Sequence, residues 1–215
     1  MDSRSRTRKS KWNYEFSCTT RNIDAFFFLE NFINTLFKTK NISEALKIIQ
    51  IDTPKQLHEK QIPENKIKEG RDLFYKFYYS NFINNYNNLI KTELGIYSPT
   101  LFYRGKADIF YIDKIFGYAV TDFKTSSSYI KKGSVKELKY FLQLGAYVTA
   151  IEEMYGNKNL EIKRASILCI NTKTDVLQEI KLQGKELQEY KEKFKTIVCE
   201  FHIKNNQKYL IQWII

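Results

Sequence analysis

Two short stretches of this chain, at residues 103–108 and 120–126, contain side chains that could work together chemically. The first reads Tyr-Arg-Gly-Lys-Ala-Asp and the second reads Val-Thr-Asp-Phe-Lys-Thr-Ser. Together they supply two carboxylates, Asp108 and Asp122, and one amine, Lys124. Carboxylate oxygens bind hard divalent cations, and an ammonium group stabilises charge on a phosphate. This combination is the minimum needed to cut a phosphodiester bond.

The spacing of these residues predicts that they share one face of a sheet. Side chains alternate along a strand, so Asp122 and Lys124 point the same way and Phe123 points the other way. Residues 107–112 are predicted to form a strand that turns back and runs antiparallel to residues 116–125.

A three-residue loop at 114–116 fixes the register of this hairpin, because opposed residue numbers then sum to 230. Asp108 then lies opposite Asp122, with Cβ atoms about 4.5–5.5 Å apart. Two carboxylates at that distance repel each other unless a cation or a proton lies between them. Mg²⁺ fits such a pair, and Lys124 would lie beside the ion, able to orient a water.

The alternative interpretation is a surface ion pair, which is what Asp-x-Lys on a strand usually is. The residues leading into it, 116–120, are apolar on both faces, which is typical of a buried central strand. Charges that end a buried strand need a partner or a function. This context favours a functional site.

The order of these motifs resembles the PD-(D/E)xK nuclease superfamily, most closely its RecB-like exonuclease branch, which includes the mitochondrial genome maintenance exonuclease. The pattern is Gly-x-x-Asp ending at Asp108, an apolar strand, Asp-x-Lys-Thr-Ser starting at Asp122, and Gln-x-x-x-Tyr starting at Gln143 on a helix. The resemblance covers approximately residues 93–154.

The resemblance implies a role for each matching residue. Catalysis would fall to Asp108, Asp122 and Lys124. The ligands of Mg²⁺ or Mn²⁺ would be Asp108, Asp122, the backbone carbonyl of Phe123, and Glu93. The substrate would be held by Thr125, Ser126, Gln143 and Tyr147.

A histidine ligand is a further expectation of the RecB-like branch, which often carries one on an upstream helix in a Gly-x-x-x-His context. The chain has two histidines, His58 and His202. Pro54 precedes His58 where a glycine is expected, and Gly70 is followed by Phe74 where a histidine is expected. His58 is the candidate ligand, with a plain surface histidine as the alternative.

The order of elements predicts an α/β fold with a restriction-endonuclease-like core. That core has the order αβββαβ, with a mixed central sheet flanked by helices, and an N-terminal helical lobe precedes it. We predict a basic arm at 1–22, the lobe at 23–92 and the nuclease core at 93–215, as one structural domain overall.

Helix signals in the lobe predict three segments. The first is 24–37 with Asp24 as N-cap, the second is 43–51 with Ser43 as N-cap, and the third is a long, broken helix over 64–94. Pro54 and Pro63 predict a loop between the last two. A first core strand is predicted at residues 100–103.

The second half of the chain has clearer signals. Ser134 and Glu137 form a predicted capping box for a helix reaching residue 154, and Gly145 within it predicts close approach of another element. The remaining predicted elements are strands at 165–171 and 176–182, a helix at 184–204, and an apolar last strand or docking tail at 209–215.

Two surface features have open interpretations. Lys131 and Lys132 lie in a polar loop that either holds phosphate backbone or is an ordinary surface loop. Aromatic residues are frequent in the predicted helix over 64–94, and packing in the core is the favoured explanation for them. Stacking against the bases of a single strand is the minority alternative. The tyrosines concerned are Tyr75, Tyr78, Tyr79 and Tyr86.

Net charge and cysteine content limit the classes of binding partner and the cellular compartments that fit this chain. The net charge of +11 suits nucleic acid or an anionic membrane surface, although lysine richness is also typical of a low-GC genome. Cys18, Cys169 and Cys199 are odd in number and widely spaced, which favours a reducing compartment and argues against a zinc ribbon or a four-cysteine iron–sulfur site. No membrane-spanning or secretory segment is predicted. The basic arm is a tail, a DNA-gripping arm or part of a targeting signal.

These features together predict an intracellular, metal-dependent DNA exonuclease. It would act on single-stranded ends in DNA replication, repair or maintenance, as a monomer and without a membrane partner. One alternative is a structure-specific endonuclease for branched DNA that dimerises through residues 209–215. The other is a non-catalytic nucleic-acid-binding module on the same fold.

Overall fold

The computed structural model describes residues 23–79, 88–156, 160–174, 176–204 and 211–212. The elements are α1 Ile23–Thr39, α2 Ile42–Glu59, α3 Glu64–Tyr78, β1 Leu89–Ser98, β2 Tyr103–Asp113, β3 Gly117–Ser126, α4 Val135–Met154, β4 Arg164–Asn171, β5 Leu177–Gln183, α5 Gly184–Lys204 and β6 Ile211–Gln212.

The strands form one mixed sheet in the order β1-β2-β3-β4-β5. Neighbouring strands are antiparallel except β3 and β4, which are parallel. The short β6 pairs in parallel with β2 at Tyr103 and Arg104. All eight residues of β4 are buried, as expected for a central strand covered on both faces. The predicted α/β class with a mixed sheet and flanking helices is confirmed.

Helices cover the two faces of the sheet through separate hydrophobic clusters. On one face, α4 and α5 contribute Tyr147 and Phe194 to a cluster with Val120 of β3. On the other face, α1, α2 and α3 pack against Phe123 of β3 and Leu168 of β4. Val120 and Phe123 lie three positions apart on β3, so their side chains point to opposite faces of the sheet. One strand therefore contributes to both clusters.

The second helix differs from its prediction. It begins after Asn41, whose side chain accepts the backbone N–H of Glu44 at 3.0 Å, rather than at Ser43. It also continues through Pro54, where a loop was predicted. A residue is buried at every fourth position of this helix (Ala45, Ile49, Thr53 and Leu57). This buried stripe outweighs the backbone hydrogen bond that proline removes.

The first core strand also differs from its prediction. The third helix ends at Tyr78, and β1 begins at Leu89, so the predicted helix over 64–94 is too long and the boundary at 92/93 falls inside a strand. Residues 100–102 form a turn instead of a strand. The exposed positions of β1 are Lys91, Gly95 and Tyr97, a charged, a small and an aromatic residue, so its sequence lacks the clean polar–apolar alternation that identifies a strand.

Several predictions from the second half are confirmed. Ser134 caps α4 by accepting the backbone N–H of Glu137 at 3.2 Å, although the Glu137 carboxylate accepts the N–H of Gly133 instead of the Ser134 N–H that a capping box requires. A Cβ added at Gly145 would lie 2.6 Å from the Tyr190 carbonyl oxygen, so α5 does approach this helix closely. Within the described part of the chain, no helix combines the length and the apolar character needed to cross a bilayer.

Some predictions fall outside the described residues. They concern the basic arm at 1–22, Cys18, Tyr86 and most of the tail at 209–215. Of the other cysteines, Cys169 is buried and Cys199 is exposed, and neither forms a disulfide. The division into arm, lobe and nuclease core stays a proposal.

Candidate active site

The hairpin of β2 and β3 has the register that its loop length predicts. Ile109 pairs with Thr121 and Asp113 pairs with Gly117, so paired numbers sum to 230. The Asp113 carboxylate closes the turn by accepting the backbone N–H of Ile115 at 2.8 Å. The pairing of β2 with β3 stops at Ile109 and Thr121, one step before Asp108 and Asp122 would face each other.

Beyond that point a gap opens between β2 and β3, and Asp108 lies in it. Its Oδ2 accepts the backbone N–H of Phe123 at 2.7 Å. In a ladder the N–H and C=O of one residue bond to the same neighbouring strand, so the Phe123 carbonyl also faces the gap. Two of the predicted oxygen ligands therefore meet in one place.

The second carboxylate, Asp122, is held by three side chains. Its side chain is 3% exposed, and Lys124 Nζ lies 2.7 Å from its Oδ2. From α4, the Tyr147 hydroxyl donates to Oδ1 at 3.3 Å and Gln143 Nε2 donates to Oδ2 at 3.4 Å. Gln143 also donates to the Tyr147 hydroxyl at 2.7 Å, as their four-residue separation on one helix face permits.

The two carboxylates perturb each other's protonation. Burial raises the pKa of Asp108 to about 8, and the negative charge of Asp122 adds to the effect. Burial also raises the pKa of Asp122, but the ammonium of Lys124 opposes this. The raised pKa of Asp108, about 8, means that this carboxyl holds a proton at neutral pH when no metal is bound.

The carboxylates open into a cleft of about 290 Å³ between α1 and the first three strands. Its lining residues are Glu30, Ile33, Asn34, Thr92, Glu93, Lys106, Asp108, Ile109, Asp122, Phe123 and Lys124. The structure thus brings the predicted residues Glu93, Asp108, Asp122 and Lys124 together. It adds Glu30 and Lys106, neither of which was predicted from the sequence.

Glu93 occupies an unusual backbone position beside the carboxylates. Its neighbours Thr92 and Leu94 pair with Ile109 and Ala107, which sets Glu93 opposite Asp108. Its φ of 50° is left-handed, a region that a glutamate enters only at a cost of about 1–3 kcal/mol. Glu93 forms an ion pair with Lys106 of β2.

Glu30 reaches the same cleft from α1. Burial raises its pKa, and the nearby charge of Glu93 adds to the rise. No sequence signal pointed to Glu30, because it lies on a lobe helix more than sixty residues from the strands it faces.

The predicted substrate-binding residues beyond Lys124 lie in different surroundings. Thr125 is half-buried, whereas Ser126 is buried and bonded within the protein. The Ser126 hydroxyl donates to the Ser128 carbonyl at 2.5 Å and accepts from the Lys136 ammonium at 2.5 Å. Its hydroxyl therefore organises the loop that follows β3.

That loop carries the exposed Lys131 and Lys132 and is fastened at Ile130. The Ile130 side chain is buried. Its backbone N–H donates to Gln178 Oε1 at 2.9 Å, and its carbonyl accepts from Gln178 Nε2 at 2.8 Å. The two lysines are thus presented from a fixed backbone.

The two histidines lie elsewhere. His58, near the end of α2, is 54% exposed and contacts Glu64 at 3.0 Å, and it is not among the residues that line the cleft. His202 on α5 contacts the Leu101 carbonyl at 3.0 Å. The structure therefore offers no support for His58 as a ligand.

The tyrosines of α3 divide between packing and exposure. Tyr78 packs edge-on against Phe32 of α1, with ring centres 6.0 Å apart. Tyr75 and Tyr79 stack at 6.0 Å, and Tyr79 is 77% exposed. Core packing therefore accounts for Tyr78 but not for Tyr79.

The donors around the gap fit a hard divalent cation. Asp108 and Asp122 supply carboxylate oxygens and Phe123 a carbonyl oxygen, the ligand type that Mg²⁺ and Mn²⁺ prefer. A cation between the carboxylates would replace the proton that burial and the nearby charge of Asp122 retain on Asp108. Among the described side chains, no three from His, Cys, Asp and Glu group closely enough to hold a metal alone. Waters and substrate would complete the shell, as is usual for Mg²⁺.

Comparisons with known proteins agree with this geometry. The sequence profile described as "PD-(D/E)XK nuclease superfamily" matches residues 62–209. The crystal structure of a "Putative exonuclease" from Eubacterium rectale has a TM-score of 0.53 and 13% identity, covering 87% of this chain and 68% of that chain. A structural match at such low sequence identity shows that the two proteins share a fold. The structure of SSO0001 has a TM-score of 0.35 and 13% identity, over 87% of this chain and 77% of that chain. No curated protein matches the chain.

Proposed function

Because the chain belongs to the PD-(D/E)XK nuclease superfamily, we propose that it is a divalent-metal-dependent DNA exonuclease acting on single-stranded ends. The observation that carries this proposal is the convergence of Asp108, Asp122 and Lys124 at the gap between β2 and β3. A buried carboxylate pair with an adjacent lysine is costly to maintain unless it serves a ligand.

The metal centre in this proposal is built from oxygen ligands. Asp108, Asp122 and the Phe123 carbonyl would hold Mg²⁺ or Mn²⁺, with Glu93 bonding through water. When bound, the ion supplies a polarised phosphate oxygen and a water of lowered pKa. The left-handed backbone of Glu93, directly opposite Asp108, supports its place in the site.

Lys124 has two tasks in this proposal. It orients a water for in-line attack, and it stabilises the negative charge that develops on the phosphoryl oxygens. Its ammonium is fixed at 2.7 Å from Asp122, and its side chain is only 18% exposed. A cation held in a mostly dry position acts more strongly on a nearby phosphate than one in water does.

Gln143 and Tyr147 support this arrangement from α4. Both donate to Asp122, so they fix the carboxylate orientation that metal binding requires. Burial and the charge of Asp122 raise the pKa of the Tyr147 hydroxyl, so it stays protonated and remains a donor.

Contacts to the substrate backbone would come from Thr125, Lys131 and Lys132. The net charge of +11 suits a polyanionic partner. The exonuclease part of the proposal follows the resemblance to the RecB-like branch, and the Eubacterium rectale fold neighbour carries the same description. We propose that the protein acts as a monomer in DNA replication, repair or maintenance.

The proposal is tested with end-labelled linear single-stranded DNA and a closed circle of the same sequence. With Mg²⁺ or Mn²⁺, the linear strand should shorten progressively, EDTA should stop the reaction, and the circle should resist. Digestion of the circle at the same rate as the linear strand would mean that the protein is an endonuclease and not an exonuclease. Binding of the linear strand without any cleavage would favour the non-catalytic module.

A further inference from the structure

We infer that Lys136, in the first turn of α4, forms a second phosphate-binding position that takes a backbone phosphate of the same strand, further along β3 from the one being cut. This inference rests on the proposed function and deepens it by locating a part of the substrate path. Lys136 has no role in the proposed metal centre, and no motif of the sequence marks it.

The position of Lys136 follows from its contact with β3. Its ammonium lies 2.5 Å from the Ser126 hydroxyl. Ser126 and Lys124 are two residues apart on β3, so their side chains lie on the same face of the strand. The Lys124 ammonium lies at Asp122 and the Lys136 ammonium lies at Ser126, so the two cations occupy successive positions along the same face of β3.

The environment of Cys169 agrees with this placement. Cys169 of β4 pairs in register with Lys124. Burial raises the pKa of its thiol, and the charges of Lys136 and Lys124 both oppose the rise. Both ammonium groups thus act on the same buried thiol from one side of the sheet.

The charge balance of Lys136 differs from that of other partly buried lysines. Lys124 lies 2.7 Å from a carboxylate of Asp122, and Lys191 lies 2.5 Å from one of Glu152. Lys136 is half-buried, and its hydrogen-bond partner is the neutral hydroxyl of Ser126. No carboxylate of the described residues lies within ion-pair distance of it. An ammonium has three donors, so this one can bind an anion without giving up Ser126.

The surroundings favour an anion as well. Lys136 is the second residue of α4, where the helix dipole is positive. The acidic residue of that turn is Glu137, and its carboxylate accepts a hydrogen bond from the backbone N–H of Gly133 at 2.6 Å. Lys131 and Lys132 precede the helix on the fastened loop, so two further positive charges lie within five residues of Lys136 in the chain.

A purely structural role is the competing explanation, in which Lys136 only ties α4 to the loop after β3. The two explanations differ in what Ser126→Ala does. That variant removes the tie but keeps the charge, whereas Lys136→Met removes the charge and keeps most of the side-chain volume. Lys195→Met, on α5 and paired with Glu192, is a matched control for the loss of one charge.

Affinity for single-stranded DNA is measured in EDTA over a series of salt concentrations, so that no cleavage intervenes. Each lost phosphate contact lowers the slope of log K against log salt by about 0.7. We expect this loss in Lys136→Met and wild-type slopes in Ser126→Ala and Lys195→Met. A wild-type slope in folded Lys136→Met would overturn the inference. So would an equal loss in Ser126→Ala, since the tie would then be responsible.

A second measurement uses the wild-type protein and stays decisive if Lys136→Met does not fold. Lysine acetylation is mapped by mass spectrometry with and without a short single strand in EDTA. Protection of Lys136 with no change at Lys195 supports the inference, and equal acetylation of Lys136 in both samples overturns it. Neither experiment requires hydrolysis, so a protein that binds DNA without cutting it would refute the proposed function and leave this inference open to support.

Discussion

The backbone N–H of Phe123 donates to the carboxylate of Asp108 at 2.7 Å, across the gap where β2 and β3 cease to pair. A side chain thus takes the position that a backbone carbonyl of β2 would hold in a continuous ladder. Asp108 is oriented by the main chain of the adjacent strand, so its position does not depend on a flexible partner.

Replacing Lys124 by alanine should reduce the cleavage rate about 10²–10³-fold, because one preorganised charge is lost from the phosphoryl site. The measurement is single-turnover digestion of end-labelled linear single-stranded DNA in Mg²⁺. Lys181→Ala, an exposed lysine of β5, is the matched control and should cut at the wild-type rate. Equal rates for Lys124→Ala and wild type would mean that the active site lies elsewhere.

Asp108→Asn should stabilise the metal-free protein at high pH. Folding raises the pKa of Asp108 from 3.8 to about 8, so the folded state holds this proton more tightly than the unfolded chain. The contribution to stability is present below pH 3.8 and is lost as pH rises towards 8. Asparagine avoids that loss and still accepts the Phe123 N–H.

In EDTA at pH 9, Asp108→Asn should therefore exceed wild type in unfolding free energy by about 1–3 kcal/mol, and the difference should vanish near pH 4. Urea denaturation at several pH values measures it. Asp72→Asn, at an exposed position of α3, serves as the control. A difference that stays constant with pH would show that Asp108 is not the proton carrier.

Tyr147→Phe should weaken the response to metal while leaving the fold intact. The hydroxyl that it removes donates to Asp122 at 3.3 Å and accepts from Gln143 at 2.7 Å. Loss of such a support should raise the Mg²⁺ concentration needed for half-maximal activity about 10-fold or more. A Mg²⁺ titration of cleavage measures this, with Tyr118→Phe at the other end of β3 as the control. An unchanged titration curve would separate Tyr147 from the metal centre.

The features of the site that sequence predicted are local ones. The register of the hairpin follows from a three-residue turn, and the shared face of Asp122 and Lys124 follows from strand alternation. The pairing of Gln143 with Tyr147 follows from one helical turn. Each depends on residues close together in the chain, where periodicity decides the outcome.

The features that sequence missed depend on contacts between distant segments. Pro54 remains inside α2 only because the helix buries a stripe against its neighbours, and Glu30 reaches the cleft only because α1 packs beside β1. The partner of Ile130, Gln178, lies 48 residues further along the chain. No local pattern encodes such contacts, and tertiary packing overrides the propensities that were used.

Gly145→Ala should destabilise the protein even though alanine is the better helix former. The added Cβ would lie 2.6 Å from the Tyr190 carbonyl oxygen, so α5 would have to shift. The cost of overpacking, about 1–3 kcal/mol, exceeds the gain in helix propensity of about 1 kcal/mol. Gly156→Ala is the control, because nothing lies within 4 Å of its added Cβ. Urea denaturation midpoints of the two variants and the wild type measure this effect. A midpoint higher in Gly145→Ala than in the wild type would contradict the close packing.

The clasp between Gln178 and Ile130 also affects the entropy of binding DNA. Both backbone groups of Ile130 bond to a single amide, so the loop with Lys131 and Lys132 is ordered when the protein folds. A loop that is already ordered loses little conformational freedom when a nucleic acid binds, which leaves more of the interaction free energy available as affinity. In hydrogen exchange, the Ile130 amide should therefore be protected to nearly the same degree before and after DNA is added.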